Sequence, residues 1–382
     1  MVIKKTYLLS PGPTPLPEEV LAAAAVPLIH HRTPEFSSLY LEVTEGLKSV
    51  FLTGQDVFIL ACSGTGAMEA AVVNILSPGD RVVSVSGGKF GERWAHICRA
   101  YGLDVREIVL EWGRDFPKEK LAAELGACPG AKAVFVTLSE TSTGALFDIR
   151  GYGEVVSKTE ALLVVDGISG LGAAPCPMDD WNVDVLISAS QKSFMAPPGL
   201  AYIALSRKAW SRAEKASLPR YYFDLRKARQ SLAEGTSPWT PAISLIVQQK
   251  KALDRIKNMG LERLIEHHRI LGEAVRAGVR GLRLELFAER PGNVLTAVKV
   301  PPGLDGRALV KVMQSKYGAH IAGGQEAYKG KIIRLAHLGY MGGFDALTAL
   351  SALEMTLSEL GHPHPAGDGL RAAQDILKEK WT

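Results

Sequence analysis

The chain has 382 residues, 47% apolar and 22% charged, a composition typical of globular proteins that excludes a disordered chain or a coiled-coil rod. Its 44 Lys and Arg residues against 40 Asp and Glu residues leave a net charge of +4, spread without runs, so nothing indicates nucleic-acid binding. No apolar stretch approaches the roughly 18 residues that a membrane-spanning helix needs. At roughly 150 residues per domain, the length predicts two or three domains.

The amino terminus and the cysteines predict a cytoplasmic protein. The first apolar run is short and is followed by three prolines within residues 11–15, which is not the pattern of a secretory signal peptide. The four cysteines contain no Cys-X-X-Cys pair and no dense spacing, which favours a reducing compartment; they are Cys62, Cys98, Cys128 and Cys176.

Residues 58–210 alternate between apolar strands and helix-compatible segments, which predicts an α/β fold with a mostly parallel sheet and helices on both faces. The predicted strands are 57–61, 80–86, 132–139, 161–166, 184–190 and 200–205. The predicted helices between them are 67–76, 91–102 and 117–125.

Beyond Pro241 the pattern changes to a smaller α/β unit. A helix pair broken at Gly260 is predicted at 242–278, and two strands are predicted at 283–288 and 294–300. Two further helices are predicted at 305–318 and 344–361, and a Pro/Gly/His-rich surface linker at 361–369. We therefore expect an N-terminal arm at 1–16, a large domain at 17–258 and a small C-terminal domain at 259–382.

Lys192 stands at the end of an apolar strand, within a loop of Ser, Gln, Pro and Gly residues. Partial desolvation there would lower the pKa of its amine toward neutrality, which makes a lysine a nucleophile suited to Schiff-base chemistry. The position also suits a lysine whose ammonium merely reaches solvent from a strand end. The segment alone leaves both interpretations open.

Asp166 ends the predicted strand 161–166, so its carboxylate is expected at the carboxyl edge of the sheet, where ligands bind in open α/β folds. A carboxylate there could pair with a pyridinium nitrogen and keep the ring protonated as an electron sink. It could equally cap the turn that follows.

The segment 61–69, with the sequence ACSGTGAME, follows a strand and opens a helix. Free backbone N–H groups at the helix N-terminus, with the hydroxyls of Ser63 and Thr65, suit a phosphate dianion. The spacing matches neither the Gly-X-Gly-X-X-Gly nor the Walker pattern, which disfavours dinucleotides and ATP. A plain glycine-rich turn capped by Thr65 is the structural alternative.

Together these features resemble the class V aminotransferases, fold-type I pyridoxal-phosphate enzymes, and specifically the alanine/serine–glyoxylate (serine–pyruvate) aminotransferase group. The resemblance runs nearly end to end. It is most specific at Ser190-Gln191-Lys192 with the downstream Pro197-Pro198-Gly199, and it includes segments 9–15, 31–36, 63–70, 140–144, 164–172 and 333–335.

The resemblance implies that Lys192 binds pyridoxal 5′-phosphate covalently and moves the proton at the reacting carbon, while Asp166 pairs with the ring nitrogen. It implies that Ile168 and Phe90 pack on opposite ring faces, although many relatives have Trp where this chain has Phe90. The other implied cofactor contacts are Ser63, Gly64, Thr65, Ser142 and Gln191.

The resemblance also implies substrate contacts and a dimer. Arg334 matches the arginine that grips the substrate α-carboxylate, a role suited to its planar fork of donors. Gly12, in the arm, is expected beside the substrate. The loop 235–241 matches one that reaches the partner subunit's phosphate; relatives often have Tyr and Thr there, and Thr240 is the candidate here. A C2 homodimer with shared active sites follows.

The function that the resemblance implies is ping-pong transfer of an amino group from alanine or serine to glyoxylate or pyruvate. Two alternatives on the same fold are ureidoglycine–glyoxylate and 2-aminoethylphosphonate–pyruvate transamination. A third is a non-catalytic binding or regulatory relative, against which the joint presence of Lys192, Asp166 and Arg334 argues. The histidine pairs lack the accompanying ligands of a metal site, so no metal is expected.

Overall fold

The structure, a computed structural model, describes residues 4–380; residues 1–3 of the predicted arm and 381–382 of the predicted small domain lie outside it. Its strands are β1 (Tyr7–Leu8), β2 (Val57–Leu60), β3 (Arg81–Ser86), β4 (Asp104–Val109), β5 (Ala133–Thr137), β6 (Ser139–Glu140), β7 (Ala145–Leu146), β8 (Leu162–Asp166), β9 (Val185–Ala189), β10 (Ala201–Leu205), β11 (Leu295–Lys299), β12 (Ala319–His320), β13 (Ala322–Gly323) and β14 (Ile332–Ala336).

The α-helices between them vary from five to 21 residues. They are α1 (Glu18–Ala22), α2 (Pro34–Phe51), α3 (Gly64–Ile75), α4 (Lys89–Ala100), α5 (Lys118–Gly126), α6 (Ile149–Val156), α7 (Arg207–Ala213), α8 (Leu225–Ala233), α9 (Ile243–Met259), α10 (Leu261–Gly281), α11 (Gly306–Ser315), α12 (Gly343–Glu359) and α13 (Asp368–Lys380). Within residues 4–380, no helix is both long and apolar enough to cross a membrane.

A seven-stranded sheet with the order β2-β10-β9-β8-β5-β3-β4 forms the centre of the larger part of the molecule. Every strand except β10 runs in the same direction, since β10 is antiparallel to both of its neighbours. The strands β5, β8 and β9 are buried along their whole length because helices cover both faces, which explains their continuous apolar sequences. The predicted α/β fold with a mostly parallel sheet is confirmed.

Buried apolar side chains form two separate cores. The larger core surrounds the seven-stranded sheet and draws on residues 20–264 and Ala288. The smaller core packs the sheet β11-β14-β13 against α10 and α12, and it also includes Leu9 of the arm and Ala173. The domain bounds expected from the sequence stay a prediction.

The structure contains several helices that were not predicted, α1, α2 and α6–α8 among them, and it differs from the predicted elements in three further places. Strand β4 was not predicted, because its residues alternate between exposed and half-buried positions and four of the six are charged or exposed. The predicted strand 283–288 is wrong: Arg283 adopts a φ of +58°, and only an isolated bridge joins Leu286 to Val298. Helix α13 follows the predicted linker and packs on α10.

Candidate active site

The parallel strands bring the predicted cofactor residues to one edge of the central sheet. Lys192 follows β9 and Asp166 ends β8, while Ser142, Phe90 and Thr65 lie in the segments that follow β5, β3 and β2. Because these strands run in the same direction, their carboxyl ends meet at one edge. Five segments that are distant in the sequence therefore form one site.

The amine of Lys192 is covered by the N-terminal arm. Its Nζ donates a hydrogen bond of 2.5 Å to the carbonyl oxygen of Pro11. Desolvation lowers the pKa of Lys192, the charge of Asp166 opposes this and the nearby Arg334 adds to it, with a net value of about 8. The lysine side chain is thus partly desolvated and bonded to the arm, and does not extend into solvent from a strand end.

Gly12 allows the arm to approach this closely. Its φ is +135°, in the region that favours glycine, and a Cβ atom there would lie only 2.2 Å from Lys192 Nζ. Thr14 holds the next part of the arm, because its N–H and hydroxyl donate to the carbonyl oxygens of Gln191 and Lys192, at 3.3 Å each.

Asp166 is 3% exposed, and desolvation raises the pKa of its carboxyl group to about 7. The backbone N–H of Ile168 donates to its Oδ1 at 2.8 Å, so one oxygen caps the following turn. Within residues 4–380, Oδ2 accepts no hydrogen bond. Burial with one open acceptor suits a cationic partner such as a protonated ring nitrogen, which would return the carboxyl group to its anionic form.

The N-terminus of α3 is open. Its N-cap is Ser63, not Thr65, and the Ser63 side chain makes no capping hydrogen bond. The Gln191 side chain also makes no hydrogen bond within the described residues, and its Oε1 is buried. A Cβ on Gly64 would lie 2.5 Å from Ile168 Cδ1, so a larger residue there would displace the Ile168 side chain. The uncapped N-terminus of α3 thus leaves backbone N–H groups free to donate, which suits a phosphate.

Phe90 and Ser142 both donate hydrogen bonds to the carboxylate of Glu140, a residue whose role the sequence did not reveal. The Ser142 hydroxyl donates to Glu140 Oε1 at 2.6 Å, and the backbone N–H groups of Phe90 and Gly91 donate to Oε2 at 3.1 and 2.8 Å. Burial raises the pKa of Glu140 against these hydrogen bonds. Glu140 thereby fixes the start of α4 relative to the Ser142 loop.

Arg334 lies on β14, the central strand of the smaller sheet, and is 6% exposed. Its Nε donates to the Gly323 carbonyl at 2.9 Å and its Nη1 to the Thr141 carbonyl at 2.7 Å, while Nη2 donates to no described residue. Desolvation lowers its pKa to about 10, and Glu140 opposes this. Arg334 is therefore an oriented guanidinium with free donor capacity, which suits a carboxylate.

Among the predicted site residues, Thr240 is the one that lies apart from the others within this chain. It is exposed and makes no hydrogen bond to them. Its loop packs against 31–41, where a Cβ on Gly235 would touch Ser37 and where the Thr236 hydroxyl donates to the His31 carbonyl at 3.5 Å.

Arg93 was also missed. Its Nη1 donates to Thr65 Oγ1 at 2.9 Å, and its guanidinium lies 5.0 Å from the centre of the Phe90 ring. Phe90 and Arg93 are three residues apart on α4, a spacing that places them on one face of a helix and was the available signal.

Taken together, these residues fit pyridoxal 5′-phosphate. The open N-terminus of α3 and the unpartnered Gln191 amide match a phosphate, Asp166 matches a pyridinium nitrogen, and Lys192 matches an aldehyde carbon. Ile168 and Phe90 supply apolar surface at the same edge. Within residues 4–380, no group of three or more His, Cys, Asp and Glu residues is placed to hold a metal ion.

The sequence profile of class-V aminotransferases matches residues 6–339. A Synechococcus protein named soluble hydrogenase small subunit is 42% identical over 98% of both chains. The L-aspartate–glyoxylate aminotransferase of Paracoccus denitrificans is 37% identical over 97% of this chain and 95% of the relative, and the serine–glyoxylate aminotransferase of Hyphomicrobium methylovorum is 35% identical over 98% and 95%.

A similar solved structure is the ureidoglycine–glyoxylate aminotransferase of Bacillus subtilis, with a TM-score of 0.94, 26% identity and 99% of both chains covered. The pyridoxamine–pyruvate aminotransferase of Mesorhizobium loti also has a TM-score of 0.94, with 26% identity and 98% coverage of both chains. The chain belongs to the class-V aminotransferase family, whose members are fold-type I enzymes that depend on pyridoxal 5′-phosphate.

Proposed function

We propose that this aminotransferase moves an amino group from a small L-amino acid, alanine or serine, to a small 2-oxo acid, glyoxylate or pyruvate, in two alternating half-reactions. One observation carries the proposal: the desolvated amine of Lys192 lies at the same sheet edge as the buried Asp166 carboxylate, with Arg334 close enough to influence the lysine's pKa. The glyoxylate aminotransferases among the relatives support the substrate class.

The chain's own residues have separable tasks in this proposal. Pyridoxal phosphate, when bound, supplies a ring that stabilises negative charge at the substrate's α-carbon. Asp166 keeps the ring nitrogen protonated, and the Lys192 amine removes and returns the proton at the α-carbon. Arg334 holds the α-carboxylate and thereby fixes which bond of the α-carbon is broken. The arm at Pro11 and Gly12 keeps water away from the lysine.

The chemistry of Arg334 also favours some of the alternative amino donors over others. Alanine, serine, aspartate and ureidoglycine all carry a carboxylate that a guanidinium can bind through two hydrogen bonds, whereas 2-aminoethylphosphonate has no α-carboxylate. Phosphonate transamination is therefore the weaker alternative. Ureidoglycine stays a specific second candidate because the Bacillus subtilis enzyme named for it shares the fold across 99% of both chains.

A donor–acceptor panel tests this proposal. Alanine, serine, aspartate, ureidoglycine and 2-aminoethylphosphonate are each combined with glyoxylate and with pyruvate, and kcat/KM is measured for every pair. We expect the highest values for alanine or serine with glyoxylate. A clear preference for ureidoglycine or the phosphonate would replace the proposed substrates while keeping the reaction class.

The name of the Synechococcus relative requires a separate test, because a protein named as a subunit could also serve as a binding or regulatory component. The isolated chain, loaded with pyridoxal phosphate, is expected to transaminate without any added protein. If it binds the cofactor and turns over no donor in the panel, the non-catalytic alternative is favoured.

We propose further that the enzyme is a C2 homodimer in which Thr240 reaches the phosphate of the other subunit. Support comes from the exposed apolar side chains of the adjacent surface, where Val26, Leu28 and Tyr221 are 55%, 70% and 71% exposed. Sedimentation should give twice the mass of the 41.1 kDa chain, and Thr240→Ala should weaken cofactor binding. A monomer with full cofactor affinity would contradict both statements.

We also propose a cytoplasmic location. The four cysteines support it, since all are unpaired in the structure.

A further inference from the structure

Arg93 differs from the other arginine of its helix in having no carboxylate partner. Arg99, six residues further along α4, forms an ion pair of 2.6 Å with Glu107. Arg93 is half-buried, and among residues 4–380 it makes no ion pair and one hydrogen bond, to Thr65 Oγ1. A guanidinium has five N–H donors, so most of its donor capacity is unused.

The position of this guanidinium indicates what could use that capacity. Thr65 is the second residue of α3, and the N-terminus of this helix has no side-chain cap. Arg93 also lies against the Phe90 ring, and its charge lowers the pKa of Asp166. It therefore faces the cofactor site and not the solvent-exposed face of α4.

The hydrogen bond to Thr65 also sets the direction of the threonine hydroxyl. A hydroxyl has one hydrogen to donate and two lone pairs that accept. Because Arg93 occupies a lone pair, the hydrogen of Thr65 points away from the guanidinium and is free for an anion at the helix N-terminus. An arginine in this place thus adds positive charge and orients a neutral donor.

We propose that Arg93 is a positioning residue for the cofactor phosphate, acting through the hydroxyl of Thr65. This inference rests on the proposed function, since it assumes that the phosphate of pyridoxal 5′-phosphate binds at the N-terminus of α3. It adds a residue outside the loops identified from the sequence, and it makes phosphate affinity depend on α4 as well as on α3.

The test measures binding to the cofactor-free protein with three probes: pyridoxal phosphate, pyridoxal, which lacks the phosphate, and inorganic phosphate as a competitor. Arg93→Met should weaken pyridoxal phosphate binding by about 10- to 100-fold, the range of a hydrogen bond to a charged group. Pyridoxal affinity should change by less than about 3-fold, because the lost interaction involves the phosphate. Inorganic phosphate should compete less well than in the wild type.

Two control variants show whether the effect belongs to this position. Arg99→Met removes a guanidinium from the same helix and should leave all three affinities unchanged. Arg93→Lys keeps the charge and should recover part of the loss. In the Thr65→Val background, Arg93→Met should cause much less additional loss, because the two residues act together.

The outcomes separate the two proposals. If the wild-type chain takes up no pyridoxal phosphate, the proposed function fails regardless of Arg93. If it does, and Arg93→Met either binds normally or loses pyridoxal and pyridoxal phosphate affinity equally, the inference about Arg93 is overturned. If the loss of pyridoxal phosphate affinity in the double variant equals the product of the losses in the two single variants, Arg93 does not act through the Thr65 hydroxyl.

Discussion

Two buried polar regions of this protein have opposite designs. At the sheet edge, Lys192 and Asp166 have pKa values moved toward neutrality, to about 8 and about 7, and retain unused bonding capacity. Beside the smaller core, His268 and His337 are also buried, with pKa values lowered from 6.5 to about 3. Burial perturbs both pairs, yet only the first is open to a ligand.

The hydrogen bonds explain the difference. His268 donates from Nδ1 to the Gly172 carbonyl at 3.1 Å and accepts from the Gly339 N–H at 3.0 Å. His337 bonds the Asn293 carbonyl and Thr296 hydroxyl in the same complete way. Both rings are neutral and fully partnered, so they connect segments of the fold. A perturbed pKa indicates a reactive site only where partners are missing.

The largest effect is expected from removing the reactive amine. Lys192→Ala should lower kcat/KM by at least roughly 10²- to 10⁴-fold, because no other group is placed to move the α-proton. Steady-state kinetics with the best donor of the panel measures this, with Lys158→Ala as the exposed control. A Lys192→Ala variant with kcat/KM within tenfold of the wild-type value would contradict the reactive role of Lys192 and its contrast with the fully partnered histidines.

Arg334→Met is expected to raise KM for carboxylate donors about 10- to 100-fold, because it removes charge-assisted hydrogen bonds to the α-carboxylate. The visible spectrum of the bound cofactor should stay unchanged. Release of the cofactor from the variant would show that Arg334 belongs to the cofactor site instead of the substrate site.

Gly12→Ala sharpens the role of the arm. A methyl group 2.2 Å from Lys192 Nζ must displace the amine or the arm, so kcat should fall about tenfold, which corresponds to about 1.4 kcal/mol of activation free energy. Gly303→Ala is the matched control: its φ is also positive, at +86°, but no atom lies within 4 Å of the added methyl. Equal loss of activity in both variants would mean that backbone strain, and not contact with Lys192, is responsible.

The fully partnered histidines His268 and His337 should make the free energy of unfolding depend on pH, which is the smallest of the expected effects. Each histidine is neutral when folded and takes up a proton when unfolded below pH 6.5, so the stability it contributes is present above that pH and is lost as pH falls toward 3. Between pH 7.5 and 5 the loss should be about 2 kcal/mol per histidine.

Urea unfolding at fixed protein concentration measures this loss, and His337→Asn should show a shallower dependence on pH than the wild type. Identical pH dependence in the two proteins would contradict the assignment of His337 as a locked neutral ring.

Much of the site was predictable because its motifs are local. Lys192 and Asp166 each follow an apolar strand, and the direction of parallel strands then brings them together. Glu140 and Arg93 were missed, since their contacts are with residues 50 and 28 positions away in sequence. The proposed partner of Thr240 is the phosphate at a second subunit, so a single sequence read as a single chain gives this residue no contact within the site.

The fold shows the same division. The buried strands of the central sheet have continuous apolar sequences and were found, whereas the edge strand β4 has a charged, alternating sequence that also suits a loop. The segment 283–288 has the composition of a strand, but Arg283 adopts the left-handed conformation and only an isolated bridge joins Leu286 to Val298 of β11. Side-chain pattern predicts burial better than it predicts backbone conformation.

We expect the partly desolvated amine of Lys192, near the buried carboxylate of Asp166, to bind the cofactor. Borohydride reduction of the protein loaded with pyridoxal phosphate, followed by peptide mass mapping, tests it most directly. We expect the pyridoxyl group on Lys192 alone, with no stable adduct at that site in Lys192→Ala. Stoichiometric labelling of a different lysine would contradict the assignment of the site.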